Sequence, residues 1–474
     1  MNSDQPNILL VMTDQHHHSG LGCLGQRPVR TPNLDRLAAE GALFENAYCA
    51  SPVCGPSRMS MFTGMYPVAH GVTANEMPPD PRVNPDLLPQ LLQDAGYHTH
   101  LAGKLHFKPV AAPNGFASRD LHDNCSALYD VEQPWLSDYV GWLADQCYGG
   151  DRTKVTREFD EDESQIPDGN LKQFILGHNW RGDAEHDNTW VGDRSLAFLR
   201  DRPGDRPFFL FSSFFGPHQP FIAPEPWLSQ YDPDEIPLPD NWDVDFSDKP
   251  CARAQGWYRL FKDGALSRED YRQLLAAYYA QITMIDHQIG RILGQLDALG
   301  LRENTIVMFT ADHGDMAGQY GWFFKGNGYE GAAHVPLMVR DPRHPESGGR
   351  RLPHVVNNID LYETFRIAGG ADRPRAPVMS RDLAPLLAGE ETAWENVTYA
   401  ERGRNEMIRQ DHMKLIRHRG GDGVGCDHEL YDLRERPVEQ RNRFDDPEFR
   451  RTGQELMGLM DAYREKAARS EADE

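Results

Sequence analysis

The sequence predicts an α/β fold: a central, largely parallel sheet between layers of helices, with a small C-terminal α+β subdomain. Three observations predict it. Short apolar runs alternate with helical segments as far as Val339, the pattern of strands joined by crossover helices. The runs are apolar without alternation, as strands buried on both faces are. Polar residues able to do chemistry follow several of the runs directly, and ligands in such sheets gather beyond the carboxyl ends of the strands.

Pro6–Asp14 (PNILLVMTD) reads as the buried first strand. Thr31 caps a helix with Pro32 in its first turn, and Gly41 closes it. Leu87–Ala95 is a second helix, stopped by Gly96, and Tyr97–Ala102 is the strand after it. Pro207–Phe214 (PFFLFSSF) is another buried strand. Ser267–Leu299 is a long helix with a serine start and a glycine stop at Gly300. Its Met284, Ile285, Ile289, Ile292 and Leu296 recur at helical spacing, as a packing face does. Thr305–Thr310 and Val335–Val339 are further strands. Residues 110–185 and 230–262 have weak periodicity and read as long loops that wall a site. Past about residue 390 come short strands at Val397–Ala400, Glu406–Arg409 and Lys414–Arg417, then a charged helix from Pro447 to about Lys466. The chain therefore divides into a main domain, residues 1–390, and a subdomain, residues 391–474.

A chain of 474 residues with 39% hydrophobic composition can bury a large core. Lys+Arg number 49 against 72 Asp+Glu, a net charge of −23. No basic block appears, which argues against nucleic acid as a partner. The global field repels anions, so a site for an anionic substrate must be locally positive, with lysine, arginine and metal in one cleft. No apolar run approaches a membrane span, which argues against a membrane partner. Met1–Gln5 lack a basic leader region, and Ile8–Met12 is too short for a signal core. Seven scattered cysteines, at 23, 49, 54, 125, 147, 251 and 426, show no paired spacing. That suits a reducing compartment, so a cytoplasmic location is expected unless a leader has been removed.

Cys54-Gly55-Pro56-Ser57-Arg58 is the most informative segment. Pro56 suits the first turn of a helix. Cys54 then falls just before a helix start, where free N–H groups and the dipole attract an anion. Arg58 follows within the same turn. A buried free cysteine beside a cap is the plain alternative. Asp14-Gln15 closes the first strand and Asp312-His313-Gly314-Asp315 closes a later one. Two carboxylates, a carboxamide oxygen and an imidazole can hold one divalent cation, though strand-end Asp and Gln also cap turns. Gly103-Lys104-Leu105-His106 puts a lysine and a histidine on the same side of an extended chain. Pro217-His218-Gln219-Pro220 holds a histidine between prolines in a rigid turn. Lys325 lies after Gly318-Gln319-Tyr320-Gly321. His16-His17-His18 invites a metal reading, but at least two of the three read as loop residues. Trp322, Phe323, Phe324 and His334 suit either a leaving-group pocket or core.

The Cys-x-Pro-Ser-Arg segment with Thr63-Gly64, the two strand-end pairs, Gly-Lys-x-His and the tail Glu429-Leu430-Tyr431-Asp432-Leu433…Pro437-Val438-Glu439 together resemble the sulfatase family. The resemblance runs from Pro6 to about Asn442 and implies the alkaline-phosphatase-like sandwich. It implies that a separate maturation enzyme oxidises Cys54 to formylglycine. It carries Asp14, Gln15, Asp312, His313 and the modified Cys54 over as ligands of one divalent metal, calcium first, with manganese or magnesium as alternatives. Gln15 and His313, in place of the Asp and Asn of many relatives, resemble the choline-sulfatase and phosphonate-monoester-hydrolase branch. Arg58 would brace the modified residue. Lys104 would contact sulfate and His106 would act as base on the formylglycine hydroxyl. His218 would be general acid with Lys325 beside it, and Asn75, in His70-Gly71-Val72-Thr73-Ala74-Asn75, would contact sulfate. The implied reaction hydrolyses an alkyl, aryl or sugar sulfate to alcohol and inorganic sulfate. A hydroxyl of the hydrated aldehyde attacks sulfur, and its twin then expels sulfate. Two alternatives remain: hydrolysis of a phosphonate monoester or phosphodiester with the same nucleophile, and a metal-binding homologue without activity. A small-molecule or saccharide sulfate ester is the expected partner, with room for a homo-oligomer.

Overall fold

A computed structural model describes residues 5–75, 77–78, 86–123, 137–155, 171–176, 182–254, 260–262, 266–390, 393–420 and 426–468. A nine-stranded sheet forms its centre. The strands are β1 (Asn7–Thr13), β2 (Ala42–Tyr48), β3 (His98–Gly103), β4 (Ser118–Leu121), β5 (Phe208–Ser213), β6 (Thr305–Ala311), β7 (His334–Val335), β8 (Leu337–Arg340) and β9 (Arg351–Asn357). Their order is β4-β3-β5-β1-β6-β8-β2-β7, with β9 on β2. From β4 to β6 every pairing is parallel, and β8 is antiparallel to both β6 and β2.

Alternate residues of β1 feed two cores, which is what a sheet covered on both faces requires. Ile8, Leu10 and Met12 join one core with Met59 and Phe62 of α2 (Cys54–Thr63), the helix after α1 (Pro32–Glu40), and with Leu91 and Leu92 of the Leu88–Asp94 helix. Leu9 and Val11 join the other, with Trp190 and Phe198 of the Asp187–Asp201 helix and Ile285, Ile289, Ile292 and Leu296 of the long Arg268–Ala298 helix. The packing face read on that long helix is buried. Ser267 caps it in a full capping box with Asp270.

Several elements differ from expectation. Residues 110–185 contain β4 and helices at Asp138–Cys147 and Leu171–Leu176, whose short amphipathic stretches are masked by the polar residues between them. Strands β2 and β9, and the Asp187–Asp201 and Leu361–Ala368 helices, carry too many polar residues to stand out as buried elements. Val335–Val339 is two strands, because Pro336 offers no ladder donor and divides β7 from β8.

The C-terminal sheet has four antiparallel strands, β10 (Val397–Arg402), β11 (Asn405–Gln410), β12 (Met413–Arg419) and β13 (Cys426–Asp432), one more than the sequence suggested. Leu456 and Met460 of the Arg450–Ala468 helix pack on it, and Ala50, Tyr66 and Ile359 of the preceding chain share that core. Cys23, Cys49, Cys54, Cys147 and Cys251 are free thiols, and Cys125 lies outside the described residues. Among the described residues no helix is long and apolar enough to cross a membrane.

Candidate active site

The register levels the strand ends. Thr13 pairs with Ala311, Met12 with Ser213, and Gly103 with Ser213. Asp14, Asp312, Lys104 and, after a short turn, His218 therefore emerge at one edge of the sheet. Helix α2 points its first turn at that edge.

Cys54 is the first residue of α2, with Val53 as N-cap, rather than a residue before the helix. Pro56 sits in the first turn, where its missing N–H costs nothing. Asn75 Oδ1 accepts the Gly55 N–H at 2.9 Å and so anchors the start of the helix. Every residue of α2 is buried.

The Cys54 sulfur is enclosed by charge. His313 Nε2 lies at 3.1 Å, Lys325 Nζ donates at 3.2 Å, and Asp14 Oδ1 is 3.6 Å away. His106 also hydrogen-bonds it, and His218 faces it. Arg58 reaches back from the same helix. Its Nε donates to Asp312 Oδ2 at 2.7 Å and its Nη2 to Asp14 Oδ2 at 3.2 Å. Its Nη1 donates to the Lys104 carbonyl at 2.8 Å and to Ser213 Oγ at 3.0 Å. Lys104 Nζ donates to Asp14 Oδ2 at 2.6 Å and lies over the Phe215 ring. Arg58 thus ties together four strand ends, those of β1, β3, β5 and β6, a task that needs its planar five-donor fork.

These contacts set the electrostatics. Burial and the Cys54 sulfur work to raise the Asp14 carboxyl, yet Lys104, Lys325 and His218 hold it well below the usual carboxylate range. Burial opposes ionisation of Cys54, but Lys104, Lys325 and His313 keep the thiol well below its ordinary value. The position of Sγ is therefore one where negative charge is stable, inside a chain of net charge −23. Burial, reinforced by Lys325, pushes His218 down to about 4. Its Nδ1–H donates to the Gln219 carbonyl at 2.5 Å, while Nε2 is buried without a hydrogen-bond partner.

Asp14, Cys54, Asp312 and His313 each offer a ligand atom, all within 4.8 Å of one another. Two further observations fit a cation there. His313 Nδ1–H donates to the Gly314 carbonyl at 2.9 Å, which leaves the Nε2 lone pair facing the cluster. Gln15 donates its amide N–H groups to Asp315 Oδ2 at 2.5 Å and Gln219 Oε1 at 2.8 Å, and its own Oε1 is buried without a partner. With both N–H groups held by Asp315 and Gln219, the carboxamide oxygen is the atom left to serve as a ligand. Asp315 is itself pushed up to about 6 by burial.

One expectation changes in detail. The chain past β3 is not extended: His106 has φ 63°, so Lys104 and His106 do not share a side by strand alternation. Asp123 makes the turn, accepting the N–H groups of Leu105 at 3.1 Å and His106 at 2.9 Å. Both side chains reach Cys54 by that route. The histidine trio packs locally. His16 bonds Thr13 and Gly20, His17 bonds Ser19, and His18 stacks on His334 at 4.0 Å. Trp322, Phe323 and Phe324 are buried, and Phe323 stacks on Tyr271.

Sequence reasoning missed Asn358, Ser213, Asp123 and Gln219. Asn358 Nδ2 donates to Ser57 Oγ and to the Asp312 carbonyl, both at 3.2 Å, locking α2 against β6. Asn358 and Asp123 stand outside every motif, and Ser213 and Gln219, inside quoted segments, carry no signal of the distant side chains they meet.

A family model described as Sulfatase matches residues 6–371, and one described as N-sulphoglucosamine sulphohydrolase, C-terminal, matches residues 318–466. The chain is 31% identical over 463 residues to an arylsulfatase of Clostridium perfringens (strain 13 / Type A), covering 94% of this chain and 92% of the other. It is 28% identical over 515 residues to an N-acetylglucosamine-6-O-sulfatase of Bacteroides thetaiotaomicron, covering 99% and 88%. Its fold is similar to that of the phosphonate monoester hydrolase of Agrobacterium radiobacter, with a TM-score of 0.80 at 23% identity over 98% and 96% of the two chains. Fold and relatives define a sulfuric ester hydrolase on the alkaline-phosphatase-like α/β scaffold. The chain belongs to the sulfatase family.

Proposed function

We propose that this enzyme hydrolyses the sulfate monoester of an alcohol, phenol or sugar, releasing inorganic sulfate, with a nucleophile matured from Cys54 and one divalent cation. The observation that carries this reading is the enclosure of Cys54 Sγ by His313 at 3.1 Å, Lys325 at 3.2 Å and Asp14 at 3.6 Å at the start of a buried helix. An inert core cysteine has apolar neighbours and a raised pKa, as Cys49 has.

Asp14, Gln15, Asp312 and His313 would hold the cation, which supplies charge neutralisation beside position 54. Calcium suits the oxygen-rich set, with manganese or magnesium as alternatives. A formylglycine at position 54, made by a separate maturation enzyme, supplies two geminal hydroxyls once hydrated, which a thiol or serine cannot.

The protein's own groups do the rest. Lys104 and Lys325 bind the equatorial sulfate oxygens, where negative charge builds up. Arg58 holds both carboxylates and the Lys104 carbonyl in place. With its Nδ1–H on the Gln219 carbonyl, His218 takes up a second proton at Nε2 when the ester binds and delivers it to the bridging oxygen. An anionic ester in the site raises the affinity of this burial-depressed imidazole for that proton. His106, which hydrogen-bonds the sulfur, takes a proton from position 54 to release sulfate. Asn75 spends its Oδ1 on Gly55 and has its amide N–H groups for a sulfate oxygen. The named activities of the two relatives support an aryl or saccharide leaving group.

Protein co-produced with a maturation enzyme tests this. Intact mass should show loss of the thiol at position 54, and turnover of an aryl sulfate should exceed that of the matching aryl phosphonate. An unchanged thiol, or activity equal to that of Cys54→Ala, would sink the reading. A preference for the phosphonate would move the enzyme to the alternative reaction.

A further inference from the structure

The site receives a cation from the C-terminal sheet that the mechanism does not use. Arg402 ends β10, and its Nη1 lies 3.4 Å from the carbonyl of Gly326, the residue after Lys325. Gly326 has φ 93° and no side chain, and the guanidinium occupies the space a Cβ would need. Lys325 in turn donates to Cys54 Sγ at 3.2 Å. Arg402 is thus one backbone residue removed from a group touching the nucleophile.

Among the described residues Arg402 pairs with no carboxylate, whereas Arg381, Arg409 and Arg417 nearby in the chain are bound to Asp360, Tyr48 and Glu406. Its carbonyl contact is long and uses one of five donors. Burial pushes this guanidinium down, and Cys54 is the charged group acting to hold it up. A half-buried guanidinium with open donors pays a desolvation cost that an anionic partner offsets. The sulfate itself has Lys104 and Lys325 to meet it. With both lysines on the sulfate, the open donors of Arg402 are left for the alcohol part of the ester.

Resting on the sulfatase reading above, we infer that Arg402 binds a second anionic group, a carboxylate or another sulfate, on the leaving-group side of the ester. The substrate class is then a sulfate ester that carries further negative charge. A cationic leaving group of the choline type meets repulsion at the same place.

Matched aryl esters test it, with kcat and KM measured on matured protein. p-Nitrophenyl sulfate has no second charge. The para- and meta-carboxyphenyl sulfates and the corresponding disulfates of dihydroxybenzene supply a carboxylate or a sulfate, and choline sulfate supplies a cation. The wild type should favour at least one of the dianionic esters. Arg402→Gln should lower kcat/KM for that ester about 10- to 100-fold, the size of a lost charge-assisted hydrogen bond, chiefly through KM. It should leave p-nitrophenyl sulfate within about 2-fold, and Arg402→Lys should recover part of the loss. Calorimetric binding of the same esters to Cys54→Ala protein should show the same preference without turnover. Equal losses on charged and uncharged esters, or no preference for a dianion in either assay, would overturn the inference and leave the sulfatase reading standing. Failure of the wild type on every sulfate ester would instead remove the reading beneath it.

Discussion

Asp123 holds His106 by its backbone: Oδ2 accepts the His106 N–H at 2.9 Å and Oδ1 accepts that of Leu105 at 3.1 Å. The two bonds fix a left-handed residue, φ 63°, that costs about 1 kcal/mol or more in a side chain of this size. Asp123 touches no reacting atom, so it is a positioning residue. Asp123→Ala should free the turn and swing His106 away from position 54. If His106 serves only the release of sulfate, the first half-reaction survives. Rapid mixing with p-nitrophenyl sulfate should then show a near-stoichiometric burst of nitrophenol, followed by turnover slowed about 10- to 100-fold, with KM unchanged or lower. Slowing without a burst would place the loss before the first bond is broken and sink this assignment.

The proposed cation site has its own test, at Asp315. This carboxylate takes an amide N–H of Gln15 and the backbone N–H groups of Ala317 at 2.6 Å and Phe324 at 3.0 Å. The first bond fixes which end of the carboxamide faces the cluster. In Asp315→Leu the backbone groups lose an acceptor and the Gln15 amide can turn over. Affinity for calcium or manganese, measured by calorimetry on chelator-stripped protein, should fall about 10- to 100-fold. Saturating metal should raise the thermal midpoint of the wild type, and the variant should need correspondingly more. Equal metal affinity in the two proteins would show that Gln15 is no ligand.

Much of the frame was legible because strand ends and motifs coincide. Asp14, Lys104 and Asp312 follow β1, β3 and β6 directly, so reading the apolar runs placed the residues. The long Arg268–Ala298 helix was legible from its cap and its packing face. What escaped was built from contacts between distant segments. Strand β2 spends Glu45 and Asn46 on solvent and on the Pro353 carbonyl, so its apolar run is broken. Asn358 and Asp123 act through hydrogen bonds to distant residues, which leave no pattern in the chain. The turn at His106 was hidden for the same reason: its cause lies 17 residues away.

A last expectation concerns stability and a group far from the chemistry. Asp286 lies on the long helix, buried against the start of the Pro32–Glu40 helix. Its Oδ1 accepts the Leu34 N–H at 2.8 Å and its Oδ2 the side-chain amide of Asn33 at 2.8 Å. It serves as a cap in trans, since Thr31 makes no side-chain capping bond. Burial nevertheless dominates those bonds and pushes the carboxyl up to about 6 from 3.8. The native state then holds the proton where the unfolded chain has lost it. By linkage, the stabilisation is fully present below pH 3.8 and is lost as pH rises towards about 6. The full shift corresponds to about 3 kcal/mol. Asp286→Asn cannot ionise, so its unfolding free energy should lack this decline. Urea unfolding of both proteins between about pH 4 and 6.5 should give curves that lie closest at low pH and separate as the pH rises, the wild type falling relative to the variant, because groups common to both cancel in the difference. Parallel curves would mean that the Asn33 and Leu34 bonds outweigh burial, and that Asp286 is ionised throughout.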